Sequence, residues 1–141
     1  MDLSQRIADF EASQLQGNGV EMVEKAVELA NAYQQMRKFE SAIATLNKIQ
    51  PFAVVEASQH AVVETALGVA YWEKAQLQKA LNHFKEALTL FEQVNDLSGQ
   101  ATLLSIVGIT FWRKCDWHKA LEILKGSLMQ GLTVENRFVS L

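Results

Sequence analysis

A pattern of small, aromatic and bulky apolar residues recurs three times along the chain and constrains its fold more than any other feature. In each copy, a small residue lies three positions before an aromatic residue, a bulky apolar residue follows six positions after the aromatic, and an alanine follows three positions later. The aromatic residues are Tyr33, Tyr71 and Phe111, and the alanines are Ala42, Ala80 and Ala120. The spacing between copies is therefore 38 and then 40 residues. Periods of this length are typical of arrays built from repeated supersecondary units.

The spacing inside each copy predicts a pair of helices. Apolar residues recur at steps of three and four, which is helical periodicity. A short polar stretch, such as 73–76, breaks the pattern between the aromatic and the alanine. Breaks of this length join antiparallel helices. Because one hairpin alone leaves an apolar face exposed, the pattern predicts hairpins that stack to form the core. The small residues Ala30, Gly68 and Gly108 are expected where the facing helix crosses closely.

The order and spacing of these residues resemble the tetratricopeptide-repeat family. The match is specific over residues 67–87 and 107–127, whereas the first copy has Ala30 in place of glycine. The spacing of the copies exceeds the family's usual period of about 34 residues. The resemblance implies an all-α, right-handed solenoid of three helical hairpins with an N-terminal capping helix, and a role in binding proteins or peptides.

Boundaries follow from the punctuating residues. We expect an N-terminal helix and linker over 1–19, repeats over 20–51, 52–95 and 96–131, and a tail over 132–141. The predicted helices span 2–15, 20–36, 39–50, 54–74, 77–94, 99–114 and 117–131. Residues 16–19 are the clearest break, Pro51 punctuates the next junction, Asp96 or Ser98 is a candidate N-cap, and Asp116 caps the last helix. The first helix is expected to dock on the first hairpin.

The charge balance and the apolar stretches exclude several classes of protein. Thirteen Lys and Arg against sixteen Asp and Glu give a formal net charge of −3. This balance argues against a nucleic-acid binder or a polybasic membrane anchor. The longest apolar stretches are far shorter than the ~20 residues that a membrane-spanning helix needs. The single cysteine fits a reducing compartment, and with no export signal visible we expect a cytoplasmic protein.

Catalytic and metal-binding patterns are weak. His60, His83 and His118 fall in different helices without a Ser or Cys nucleophile at a motif spacing, and we interpret them as exposed or edge residues. Cys115 lies three positions before His118, but zinc needs three or four ligands and no second pair exists. In the same segment Trp117 is expected to pack in the core position of Phe39 and Leu77, and His118 to be solvated. The sequence therefore predicts neither an enzyme nor a cofactor or metal site.

Three glutamates, Glu21, Glu24 and Glu28, lie on one face of the first repeat's opening helix. Paired carboxylates can serve as acid and base. Near a helix N-terminus, however, carboxylates are stabilised by the helix dipole. We therefore interpret this face as solvated.

The concave surface of the array is the candidate binding site. In stacked hairpins of this kind, the first helix of each pair lines that surface. The residue after each packing aromatic then faces the groove, which places Trp72 and Trp112 there as two equivalent anchors. An alternative is that both indoles pack between repeats. The candidate partner-binding residues are Asn31, Gln34, Thr65, Val69, Trp72, Glu73, Ser105, Ile109, Trp112 and Arg113.

These residues predict a protein or peptide partner with apolar anchors. Some members of the family hold an acidic C-terminal tail with a carboxylate clamp, but only Asn31 matches that clamp here. An amphipathic helix or an extended apolar peptide therefore fits better than an acidic tail. The alternative hypothesis is a structural module that forms a homo-oligomer through its helical ends, with the end after Ser127 incompletely capped.

Overall fold

The computed structural model describes residues 2–126 as a stack of antiparallel helices without strands. The last helix is described over 117–126. The predicted all-α solenoid is confirmed, whereas the predicted tail over 132–141 and the open end after Ser127 lie outside the described residues. The first six helices are α1 (Leu3–Gln16), α2 (Gly19–Gln35), α3 (Phe39–Ala53), α4 (Ala57–Glu73), α5 (Leu77–Gln93) and α6 (Leu97–Arg113).

The predicted break over 16–19 separates α1 from α2. Gly17 ends α1 in the left-handed conformation, at φ 72°. Asn18 then begins α2, and its side-chain oxygen accepts hydrogen bonds from the backbone N–H groups of Val20 and Glu21. Phe10 of α1 is buried in the same core cluster as the α2 residues. The first helix therefore caps the array, as expected.

Four helices end in one repeated turn. In each, the carbonyl of an aromatic residue accepts the backbone N–H of the residue five positions later, which is the Schellman arrangement. The aromatic residues are Tyr33, Tyr71, Phe91 and Phe111. The residue four positions after each aromatic is left-handed, and these residues are Arg37, Ala75, Asn95 and Cys115. In each of the four cases, the turn therefore sets the direction of the helix that follows it.

Small residues mark the helix crossings within two hairpins. A Cβ atom at Gly68 would lie 2.5 Å from the ring of Phe84, and one at Gly108 would lie 2.6 Å from Leu124. Phe84 is fully buried. The prediction that these glycines permit close approach is therefore confirmed.

Three details differ from the predicted boundaries. Pro51 lies inside α3, which continues to Ala53. Proline lacks the N–H for one helical bond, but the Val54 N–H still reaches the Gln50 carbonyl at 3.1 Å, and Ala53 is fully buried. Helix α4 begins at 57 and not at the predicted 54. Helix α6 begins at 97 and not at 99, directly after its N-cap Asp96.

Trp117 does not occupy a core position. Its side chain is 56% exposed, because no later hairpin lies over it within residues 2–126. Asp116 does cap the last helix, accepting a hydrogen bond from the Lys119 N–H, and His118 is exposed as expected.

Candidate functional site

A cavity of about 470 Å³ lies on the concave surface, between the first helices of the three pairs. Side chains of α2, α4 and α6 form its wall, and it is closed by Phe91, near the end of α5, and by Asp96, in the turn before α6. The remaining lining residues are Val27, Asn31, Gln34, Val62, Thr65, Ala66, Val69, Ser98, Gly99, Thr102 and Leu103. The lining is therefore mainly apolar, with amides and hydroxyls at intervals.

Two further depressions continue this cavity at its ends, and we call the three together the groove. The first, of about 370 Å³, shares Val27 and Val62 with the central cavity. The second, of about 260 Å³, shares Val69. The other residues of the first depression are Val23, Glu24, Glu28, Ser58 and Gln59. The other residues of the second are Trp72, Glu73, Phe84, Ile106 and Ile109.

The polar groups of the central cavity differ in whether they already form hydrogen bonds within the protein. The Asp96 carboxylate accepts the Gly99 N–H at 2.9 Å, as the N-cap of α6. The Thr102 hydroxyl donates to the carbonyl four residues before it, at 2.9 Å. Nε2 of Gln34 is buried and has no hydrogen-bond partner in the described part of the chain. An amide donor therefore stands unpaired at the groove wall.

The two tryptophans predicted as equivalent anchors lie in different surroundings. Trp72 is half-buried, and the Arg113 guanidinium carbon lies 4.3 Å from its ring centroid. Trp112 is 53% exposed, and its ring lies 6.4 Å from that of Trp117 at an interplanar angle of 58°. The difference arises because α6 follows Trp72, whereas no later hairpin covers Trp112 within residues 2–126.

Seven of the ten candidate binding residues line the groove: Asn31, Gln34, Thr65, Val69, Trp72, Glu73 and Ile109. Ser105, Trp112 and Arg113 do not line these three depressions. The Ser105 hydroxyl donates to the Ala101 carbonyl at 3.1 Å. Arg113 lies over Trp72 instead of facing a ligand.

Phe91 and Val62 are among the groove residues that the sequence pattern missed. Phe91 belongs to a second helix, so it was not expected on the concave surface. The sequence did contain a sign that Phe91 resembles Tyr71. Asn95 follows Phe91 by four positions, just as Ala75 follows Tyr71. Val62 had a signal too, because it lies three positions before the candidate Thr65, which is about one helical turn away on the same face.

The predicted solvated face of glutamates is partly correct. Glu24 and Glu28 are exposed, but both line the first depression, opposite Ser58 and Gln59 of α4. The stacking of α4 beside α2 therefore places these carboxylates at one end of the groove.

A buried carboxylate on another face of α4 was not predicted. Glu64 is 4% exposed, and its Oε2 lies 2.6 Å from Nδ1 of His83. Its Oε1 accepts a hydrogen bond from Nε2 of Gln50 and lies 3.4 Å from Nε2 of His60. The His83 ring stacks on Tyr71 at 5.4 Å. His60 and His83 are thus half-buried partners of a carboxylate that joins α3, α4 and α5, which agrees with the edge alternative and not with the exposed one.

The described residues 2–126 contain no group of three or more His, Cys, Asp or Glu side chains arranged to hold a metal ion. Within the same range, none of the helices combines the length and the apolar character needed to cross a membrane.

The stacked hairpins and their concave groove define a helical-hairpin repeat protein. The tetratricopeptide-repeat family model matches residues 21–93 and 58–128, so most of the chain is covered. The chain belongs to the tetratricopeptide-repeat family. No curated protein matches its sequence.

Several solved structures share the fold at low sequence identity. The apo form of RapI superimposes with a TM-score of 0.85 at 16% identity, over 98% of this chain and 51% of that one. BtubC from P. vanneervenii gives 0.82 at 14%, over 95% and 57%. Aspartyl phosphate phosphatase F from Bacillus subtilis gives 0.77 at 16%, over 83% and 31%. The chain therefore spans about half the length of these proteins or less.

Proposed function

We propose that this chain is a non-catalytic interaction module that binds a protein or peptide segment in its groove, as an adaptor or regulatory scaffold. The observation that carries the proposal is the apolar central cavity on the concave surface. Val62 in this cavity and Ile109 in the adjoining second depression are large apolar side chains that remain about half exposed. Concave apolar surfaces with a few placed polar groups are the usual form of binding sites.

The groove supports an apolar anchor in its centre. Val62, Ala66 and Val69 would contact an aliphatic or aromatic side chain of the partner. The exposed amide of Asn31 supplies hydrogen bonds that an extended or helical backbone end can use. The Gln34 Nε2 is buried, and rotation of its side chain would present this unpaired donor to the ligand. Trp112 lies outside the depressions, so we assign the anchoring role to the central cavity and to Val69 rather than to a tryptophan pair.

The experiment compares two threonines that differ mainly in the surface on which they lie. Thr102 lines the groove, whereas Thr89 lies on the exposed face of α5. Both are exposed, and both hydroxyls donate to the carbonyl four residues earlier. A photo-crosslinking amino acid is placed at each position in source cells. We expect a specific cross-linked protein from position 102 only.

Blocking the groove supplies the control. Thr102→Trp fills the cavity, and Thr89→Trp adds the same bulk to the back. We expect the first variant to lose binding of the cross-linked protein and the second to retain it, with equal helicity by circular dichroism. Equal binding by both variants would refute the groove as the site.

A second candidate function is self-association through the last described hairpin. Its supporting observation is that Trp112, Trp117 and Leu121 are all more than half exposed there. Light scattering of the wild type and of a Trp117→Ser variant, both at tens of micromolar, tests it. A dimer that the substitution dissociates would support this function, and a monomer in both samples would exclude it.

A further inference from the structure

We propose that the groove binds a cationic amphipathic segment, with apolar side chains along its middle and a Lys or Arg near each end. This inference rests on the proposed function and specifies the chemistry of the partner. The apolar residues that line the groove, which we call its floor, are continuous from one end to the other, and an acidic residue lies at each end.

The apolar floor is continuous along the groove. Val27 and Val62 belong both to the first depression and to the central cavity, and Val69 belongs both to the cavity and to the second depression. A ligand can therefore keep one apolar face in contact with the protein along the whole of α4, from Ser58 to Glu73.

Each end of this floor carries an exposed carboxylate. Glu24 lines the first depression, and Glu73 lines the second. Neither forms an ion pair within the part of the chain that the structure describes. Both carboxylates are therefore available to a cation on the ligand.

The nearby cations of the protein are already engaged. Lys25 lies 3.6 Å from the carboxylate of Glu28. The Arg113 guanidinium stacks on Trp72 and donates to its carbonyl. The central cavity itself is lined by no Lys or Arg. Within residues 2–126, the groove thus offers acceptors at both ends and no free cation for an acidic ligand.

The repeat spacing sets how far apart the two carboxylates lie along the helix axes. Glu24 occupies the position in α2 that Val62 occupies in α4, and Glu73 lies eleven residues beyond Val62. At the helical rise per residue, the two glutamates are offset by about 16 Å along the direction of the helix axes. Eleven residues also make close to three helical turns, so two basic residues at that spacing on a helical ligand share a face with the apolar residues between them.

The test uses three designed helical peptides of about 15 residues, long enough to span this offset. The first carries two lysines three turns apart, on the same face as a row of leucines. The second replaces the lysines by glutamates, and the third keeps the lysines but replaces the leucines by glutamines. Binding is measured by fluorescence anisotropy at low and at moderate salt, because exposed ion pairs weaken with salt.

We expect the Lys–Leu peptide to bind at least about tenfold more tightly than the Glu–Leu peptide. The Lys–Gln peptide is expected to bind weakly, because it lacks the apolar face. Glu24→Lys combined with Glu73→Lys should remove the preference for the lysine peptide. Glu86→Lys combined with Glu92→Lys makes the same change in net charge on the exposed face of α5 and should leave the preference intact.

The outcomes separate this inference from the proposed function. If both leucine peptides bind equally and Thr102→Trp abolishes both, the groove binds peptides but the charge preference is wrong. If Thr102→Trp leaves binding of every peptide unchanged, the groove itself is wrong. If the α5 substitutions remove the preference as fully as Glu24→Lys and Glu73→Lys, the attraction is due to net charge and the inference is overturned.

Discussion

The Arg113 guanidinium carbon lies 4.3 Å from the centroid of the Trp72 indole, and its Nη1 donates a hydrogen bond to the Trp72 carbonyl at 2.6 Å. The two residues are 41 positions apart and belong to α6 and α4. The Arg113 side chain therefore connects successive hairpins and covers the Trp72 indole at the end of the groove.

Removal of this cation is expected to expose Trp72. Arg113→Ala should lower the free energy of unfolding by about 1 kcal/mol, because it loses a cation–π contact and a charge-assisted hydrogen bond. Arg113→Lys should recover little, since an ammonium group cannot stack as a planar guanidinium does. Iodide quenching of Trp72 fluorescence, in a background where Trp112 and Trp117 are Phe, measures the exposure. Identical quenching in Arg113→Ala and in that background would contradict this role.

Adding a methyl group at Gly68 should destabilise the second hairpin. Its Cβ would lie 2.5 Å from the fully buried ring of Phe84, which has no room to move. We expect Gly68→Ala to cost about 2 kcal/mol despite the better helix propensity of alanine. Gly108→Ala faces Leu124, which is only half-buried, and should cost less. Urea unfolding followed by circular dichroism ranks the two, and the reverse order would contradict the packing argument.

Truncation of the buried carboxylate should be among the most damaging single changes. Glu64→Ala leaves Gln50 and His83 without their acceptor, at an expected cost of about 3 kcal/mol. The control is Glu86→Ala on the exposed face of α5, which should stay within about 0.5 kcal/mol of wild type. Chemical denaturation measures both. A loss at Glu64 no larger than that at Glu86 would show that the network contributes nothing to stability.

Replacing the left-handed alanine in the turn of the second hairpin by glycine should stabilise the fold. Ala75 has φ 62°, a conformation that glycine adopts without the steric cost that a Cβ imposes. Ala75→Gly is expected to raise the free energy of unfolding by about 1 kcal/mol. Ala44→Gly, at an exposed position inside α3, should lower it by about 1 kcal/mol. If the two substitutions shift the thermal midpoint in the same direction, the turn is not strained.

Features that depend on residues close together in the sequence were predicted correctly. The break between α1 and α2 follows from Gly17 and Asn18, whose left-handed and capping conformations are local properties. The close crossings at Gly68 and Gly108 follow from the repeated small residue. Pro51 misled the prediction, because α3 continues past it to Ala53, which is fully buried.

The binding surface could be predicted only in part. The repeat period places Asn31, Thr65 and Val69 on corresponding faces of the first helices, and all three line the central cavity. The period also makes Trp72 and Trp112 look equivalent, although Arg113 covers only the first. Their difference depends on which hairpin stacks on each, which is a property of the array rather than of one repeat.

The sequence by itself determined the hairpins, their turns and their period, because helical spacing, capping and left-handed turn positions act over a few residues. Only the tertiary structure decided that Glu64 joins His83 and Gln50, and that Glu24 and Glu73 stand at opposite ends of one apolar groove. Those residues lie on different helices, and the angle and offset at which the hairpins pack set the distances between their side chains.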